Sequence, residues 1–186
     1  MGMGHAAFPG APTPSHSCRP NVNRPMSLQS VRAFLAARAA DIEIVETQTS
    51  TATVALAAAA HGVEPAQIAK TLALHLDGSV ILLVMGGIAR LDNRKYKDHF
   101  GAKARMLDAA EVLAATGHPV GGVCPFGLPR PLPVYADLSL RAFSVVLPAA
   151  GAPYAALRIA PERLVQLTGA EWVDVAQPEA PHPPAR

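Results

Sequence analysis

Cysteine is nearly missing from this chain: Cys18 and Cys124 are its only two in 186 residues. That excludes a disulfide framework and any metal site built on paired thiolates, and it makes a reducing, cytoplasmic compartment the expectation. No apolar run approaches the roughly 20 residues needed to cross a bilayer. Residues 52–60 are apolar, but threonines and His61-Gly62 bound them, so they read as a buried helix. Charged residues make up only 16% of the chain and the net charge is +2, too little by itself to mark a nucleic-acid binder. There is no G-x-x-x-x-G-K-[ST] loop for phosphates. The histidines at 5, 16, 61, 75, 99 and 182 lack metal-ligand spacing. Neither a metal, a cofactor, DNA nor a membrane is an expected partner.

Acidic residues are absent from the first 25 positions, which hold five of the eighteen prolines. Residues 1–26 therefore read as a disordered extension, with Met26 a candidate start, and the proline-rich residues 178–186 as a disordered tail. Residues 27–177 carry the folded domain, and half of the whole chain is hydrophobic, enough for a sizeable core.

That core is organised around residues 68–76, followed by Asp77-Gly78 and a second apolar run to Met85. Asp-Gly between two short aliphatic runs predicts a tight hairpin, because a type I′ turn needs positive φ at both central residues. Alternation puts Lys70 on the same face as Leu72, Leu74 and Leu76, expected to be buried. Two readings of Lys70 stand at this level: a lysine snorkelling at a strand end, or a cation aimed into a ligand pocket.

Around this hairpin, Ser27 caps a helix to about Ala40, residues 42–47 read as a strand, and an alanine-rich helix ends at Gly62. Asp92 caps a basic helix and residues 103–106 read as a short strand. Asp108 with Glu111 forms a capping-box pattern for a helix ended by Gly117. Strands are expected at 134–136, 143–147, 154–159 and 172–175, with a helix over 161–167. Helices and strands interleave without a regular βα repeat, so the expected fold is a mixed α/β (α+β) domain with a curved, largely antiparallel mixed sheet. Arg90, Arg94, Lys95, Lys97, Lys103 and Arg105 cluster in sequence as a candidate basic face.

Gly121-Gly122-Val123-Cys124-Pro125-Phe126-Gly127 fits neither a helix nor a central strand. Such a loop can turn free backbone N–H groups toward one oxygen, although an irregular turn at the sheet rim explains it as well. Cys124 is read as a small buried residue in preference to a nucleophile, since nothing supplies a base beside it except His118, near only in sequence.

Four stretches in order, Lys70-Thr71-Leu72, the Gly117 to Gly127 loop, Val134-Tyr135-Ala136-Asp137-x-Ser139-Leu140 and Ile159-Ala160-Pro161-x-x-Leu164, resemble the YbaK/EbsC family. These are free-standing relatives of the editing domain of bacterial prolyl-tRNA synthetase, and the resemblance spans residues 28–176. It implies a YbaK-like fold and a metal-independent deacylase that removes a wrong, small amino acid from tRNA-Pro or a related tRNA. It places the functional lysine on Lys70, with Gly121 beside it as the catalytic pair. Thr71, Gly122, Val123, Cys124, Pro125 and Asp137 are the implied substrate-binding residues. Cys124 stands where the family commonly has Ser. The implied partners are the acceptor end of an aminoacyl-tRNA and a tRNA synthetase. A non-catalytic module binding aminoacyl-tRNA or a nucleotide-like ligand is the alternative, and a hydrolase centred on Cys124 ranks last.

Overall fold

The computed structural model describes Met1 and residues 26–177; the two proline-rich ends expected to be disordered lie outside the described residues. Its elements run α1 (Met26–Arg38), β1 (Ile44–Glu46), α2 (Val54–His61), β2 (Ile68–Leu76), β3 (Ser79–Gly86), α3 (Asn93–Phe100), β4 (Arg105–Met106) and α4 (Ala109–Thr116). They continue with β5 (Val134–Asp137), β6 (Leu147–Pro148), β7 (Ala155–Leu157), α5 (Pro161–Thr168) and β8 (Glu171–Val173).

Local chemistry sets most of these boundaries. Asp77 and Gly78 have φ of 47° and 77°, the pair of left-handed residues a type I′ hairpin demands. Thr53, Asp92 and Asp108 each cap a helix with a side-chain oxygen, and Glu111 returns the favour to the Asp108 N–H. Gly62, Gly101, Gly117 and Gly169 end helices in the left-handed region.

The β2–β3 hairpin is the centre of the larger sheet, in the order β4-β2-β3-β5-β8, with β6 also on β2. The sheet is mixed. β2 runs antiparallel to β3 and β4, whereas β2–β6, β3–β5 and β5–β8 are parallel. A separate ribbon pairs β1 with β7.

Both faces of β2–β3 are covered, not only the Lys70 side. Leu74, Ile81, Leu83 and Met85 pack with Tyr96 of α3 and Val175, and Leu72 and Leu76 join them at the margin. The opposite face, with Ala69, Ala73, Leu82 and Val84, packs on Val31 and Leu35 of α1, Val112 of α4, and Phe126. Small residues on β2's second face are what let those helices approach closely. The strand expected at 143–147 is much shorter. Asp137 instead caps a 3₁₀ turn over Leu138–Ala142, accepting from the Ser139 N–H, and only Leu147–Pro148 joins the sheet.

Candidate active site

Among the described residues, β2 is covered on the side away from β3 at two places only: β6 lies against Ile68–Ala69 and β4 against Leu74–His75. Residues 70–73 between them border a cleft of about 290 Å³. Its walls come from Thr51–Val54 and Ala57 beside α2, from Met106, Leu107 and Val112, and from Leu147, Ala149, Ala155 and Ala156. Val120, Gly121 and Val123 close it. Among the described residues, side chains around it are mainly short and aliphatic; the polar ones are Thr51, Thr53, Lys70 and Thr71, with no carboxylate.

Lys70 lies half-buried at this cleft. Its ammonium donates to the carbonyls of Gly87, at 3.0 Å, and Ala89, in the turn that follows β3. Two of its three N–H groups are thus fixed. Burial pulls its pKa below the usual lysine range, and the neighbouring Arg90 guanidinium pulls in the same direction. Gly87 leaves no room for a side chain, since a Cβ there would stand 2.2 Å from the Pro65 carbonyl oxygen. The carbonyl that holds the ammonium is therefore held by close packing.

The glycine loop is positioned by what lies beneath it. Gly121 has φ of 87°, and a Cβ on it would come within 2.9 Å of Ala52 Cβ across the cleft mouth. The Gly122 N–H donates to Pro119 O and its carbonyl accepts from the Gly151 N–H, so Gly122 is consumed in holding the loop's shape. Among the described residues, the N–H groups of Gly121 and Val123 have no protein acceptor.

Below the loop, His118 is fully buried, its Nε2 2.9 Å from the Phe126 carbonyl and its Nδ1 2.8 Å from Ser27 Oγ. Facing a carbonyl, Nε2 carries the proton, leaving Nδ1 an acceptor that shares the single Ser27 hydroxyl proton with the Gly151 carbonyl. This network ties the loop to the start of α1. Burial lowers the pKa of His118 against a smaller upward pull from the Phe126 carbonyl. Protonation therefore favours the unfolded chain: stability is full above the free imidazole value of 6.5 and falls as pH drops below it. Unfolding free energies from urea titrations between pH 7.5 and 5.5 are expected to decline more steeply in the wild type than in His118→Gln. Equal slopes would show that the imidazole does not couple to folding.

The structure brings together Lys70, Thr71, Gly121 and Val123. It does not bring the other four expected residues to the cleft. Gly122 is spent on the loop's own hydrogen bonds, and Pro125 is buried beneath it. Cys124 is fully buried against His118 and the Phe126 carbonyl, and burial pushes its thiol up to about 12. A thiol so placed is a packing residue, which removes the Cys124 nucleophile reading. Asp137 is 1% exposed and accepts from the N–H groups of Ser139, Val175 and Ala176, so its role is to join β5 to the strand exit after β8. Sequence reasoning missed the opposing walls: Ala52 and Met106 carry no motif, and Val120, inside the Gly117–Gly127 stretch, was not singled out. Among the described residues, no three His, Cys, Asp or Glu side chains are grouped as metal ligands would be. No helix among them is long and apolar enough to cross a membrane.

Comparison with known proteins bears on this cleft. Residues 48–167, which include all its walls, match the profile of the aminoacyl-tRNA editing domain. An uncharacterized Bacillus subtilis protein, YwhH, is 44% identical over 82% of this chain and 98% of its own. EbsC of Enterococcus faecalis, named as a proposed Cys-tRNA(Pro)/Cys-tRNA(Cys) deacylase, is 28% identical over 63% of this chain and 73% of its own. A crystal structure described as a proposed trans-editing enzyme for prolyl tRNA synthetase superposes with a TM-score of 0.76 and 34% identity, covering 87% of this chain and all of the other. The chain belongs to the aminoacyl-tRNA editing domain family.

Proposed function

We propose that this protein is a trans-editing hydrolase that cleaves the ester between a small, wrongly attached amino acid and the terminal ribose of tRNA-Pro or a related tRNA, without a metal. The observation that carries this reading is the meeting of Lys70, Thr71 and the Gly121 backbone around one small apolar chamber. Short aliphatic walls favour a compact uncharged side chain, and the lack of a carboxylate among the described residues of the cleft disfavours a basic one.

An aminoacyl ester is already activated, so positioning a water and stabilising the developing oxyanion supply most of what catalysis needs. The N–H groups of Gly121 and Val123 are the donors for that oxyanion. The remaining N–H of Lys70 holds the ester carbonyl or the terminal phosphate as a point charge. The ribose 2′-hydroxyl takes part in orienting the water and marks the substrate as RNA. Arg105, next to the cleft residue Met106, and Arg90, beside Lys70, are free of ion pairs among the described residues and meet the acceptor stem. A tRNA synthetase is the natural partner for such an activity, and the cytoplasm its place.

The test is a panel of tRNAs charged with alanine, cysteine, serine, threonine and proline, incubated with the purified protein. The expected result is loss of the ester on one or more small residues at about 100-fold or more over spontaneous hydrolysis. Saturable binding with no cleavage of any ester would replace this reading with the non-catalytic module.

A further inference from the structure

We infer that the Thr51 hydroxyl reads the side chain of the substrate's amino acid, favouring one that carries a hydroxyl or thiol over one of the same size that ends in a methyl. The inference rests on the deacylase reading above. Thr51 lies in the connection between β1 and α2 and is 8% exposed at the border of the cleft. Its main chain is tied down, the N–H donating to the Pro153 carbonyl at 2.6 Å. Its side chain is not: Oγ1 enters no hydrogen bond among the described residues. Nor is it shut away. Among the described residues, the unpartnered side-chain atoms sealed from solvent are His61 Nε2, Thr71 Oγ1 and Tyr96 Oη. The Thr51 hydroxyl therefore keeps open surface, and the open space beside this residue is the cleft.

The other polar side chains of the cleft are already committed. Thr53 Oγ1 accepts from the Leu56 N–H as the cap of α2, Thr71 Oγ1 is sealed, and Lys70 gives two of its N–H groups to the Gly87 and Ala89 carbonyls. That leaves one neutral hydroxyl uncommitted, among the described residues, in a chamber walled by Val54, Ala57, Ala149, Ala155 and Ala156. Its place suits the aminoacyl side chain. Ala52, next in the chain, stands against Gly121, where an added Cβ would come within 2.9 Å of Ala52 Cβ. An ester carbonyl held at the Gly121 N–H carries its side-chain substituent only a few bonds away, in the space that Thr51 borders. Energetics then select the substituent. Enclosed with a methyl group, the Thr51 hydroxyl loses water and gains nothing, whereas a hydroxyl or thiol gives it a partner and is itself satisfied. A site holding one free hydrogen-bonding group rejects the analogue lacking the matching atom more strongly than an apolar pocket discriminates by size.

The experiment charges one tRNA in turn with serine, cysteine and 2-aminobutyrate, whose side chains are of nearly one size and end in a hydroxyl, a thiol and a methyl. Each kcat/KM is divided by that ester's own rate of spontaneous hydrolysis. The expected result is an enhancement about tenfold greater for the better of the seryl and cysteinyl esters than for the 2-aminobutyryl ester. In Thr51→Val, which keeps the shape and removes the hydroxyl, that ratio is expected to fall about tenfold, and in Thr51→Ser to be retained. A hydroxyl that only supports the fold or holds the attacking water would not change the ratio. Equal enhancement of the three esters by the wild type, a preference for the 2-aminobutyryl ester, or an equal loss on all three in Thr51→Val overturns the inference while leaving the deacylase intact. No enhancement on any ester, the alanyl ester included, overturns the deacylase reading and this inference with it.

Discussion

Lys70→Ala is expected to lower kcat/KM for deacylation by about 10²- to 10³-fold, equivalent to about 3–4 kcal/mol of transition-state stabilisation. The magnitude follows from placement. The ammonium is half-withdrawn from water and pinned by two carbonyls, so it cannot swing away, and in the apolar cleft its charge acts with little screening. Lys70→Arg is expected to recover little of the loss, because a planar guanidinium is wider than an ammonium and cannot occupy the same position between the Gly87 and Ala89 carbonyls. The fold should tolerate both changes, with unfolding free energies within about 1 kcal/mol of wild type, since burial already works against the charged group. The rate should also depend on pH in a particular way. If the charged amine is required, activity declines as pH rises through a pKa lying below the ordinary lysine value of 10.5. Single-turnover deacylation by the folded variants measures all of this, and normal turnover by Lys70→Ala would remove the lysine from the mechanism.

Which features could be foreseen from residues alone depended on the range of the interaction that fixes them. Asp77-Gly78 and the Asp108–Glu111 box act within four residues, and each appears where its local chemistry calls for it. Parallel pairing of β5 with β3 joins residues 52 positions apart, and that of β8 with β5 residues 36 apart, so no local pattern announces it. The 143–147 segment went astray for the same reason. Its apolar residues look like a strand, but the Asp137 cap commits the chain to a 3₁₀ turn and only the contact with β2 selects Leu147–Pro148.

The site divides in the same manner. Lys70 and the glycine loop announced themselves by being out of place in a strand and a helix, respectively. Composition could not tell which loop residues face outward. Gly121 and Val123 border the cleft while Gly122, Cys124 and Pro125 turn inward, because the loop is folded over His118 and clamped by Gly151. An irregular loop has no two-residue period to read, so its facing is a tertiary result.

Asp137→Ala is expected to cost about 3–5 kcal/mol of unfolding free energy, a large part of the 5–15 kcal/mol typical of a domain. The carboxylate's Oδ1 takes the Ser139 N–H at 2.9 Å, and its Oδ2 takes those of Val175 and Ala176 at 2.9 and 3.0 Å. Removing it strands three main-chain donors, two of them on buried residues, where water cannot replace the acceptor. Asp137→Asn separates charge from geometry. Its amide keeps one oxygen, so at least one N–H meets an NH₂ group instead of an acceptor, and an intermediate loss of about 2 kcal/mol is expected. Urea unfolding checks both values, with a shifted midpoint and an unchanged slope marking loss of stability alone. Because Asp137 does not border the cleft, KM for the aminoacyl-tRNA should stay at the wild-type value in the fraction that remains folded. A variant of normal stability with weakened substrate binding would reverse the assignment and return this carboxylate to the site.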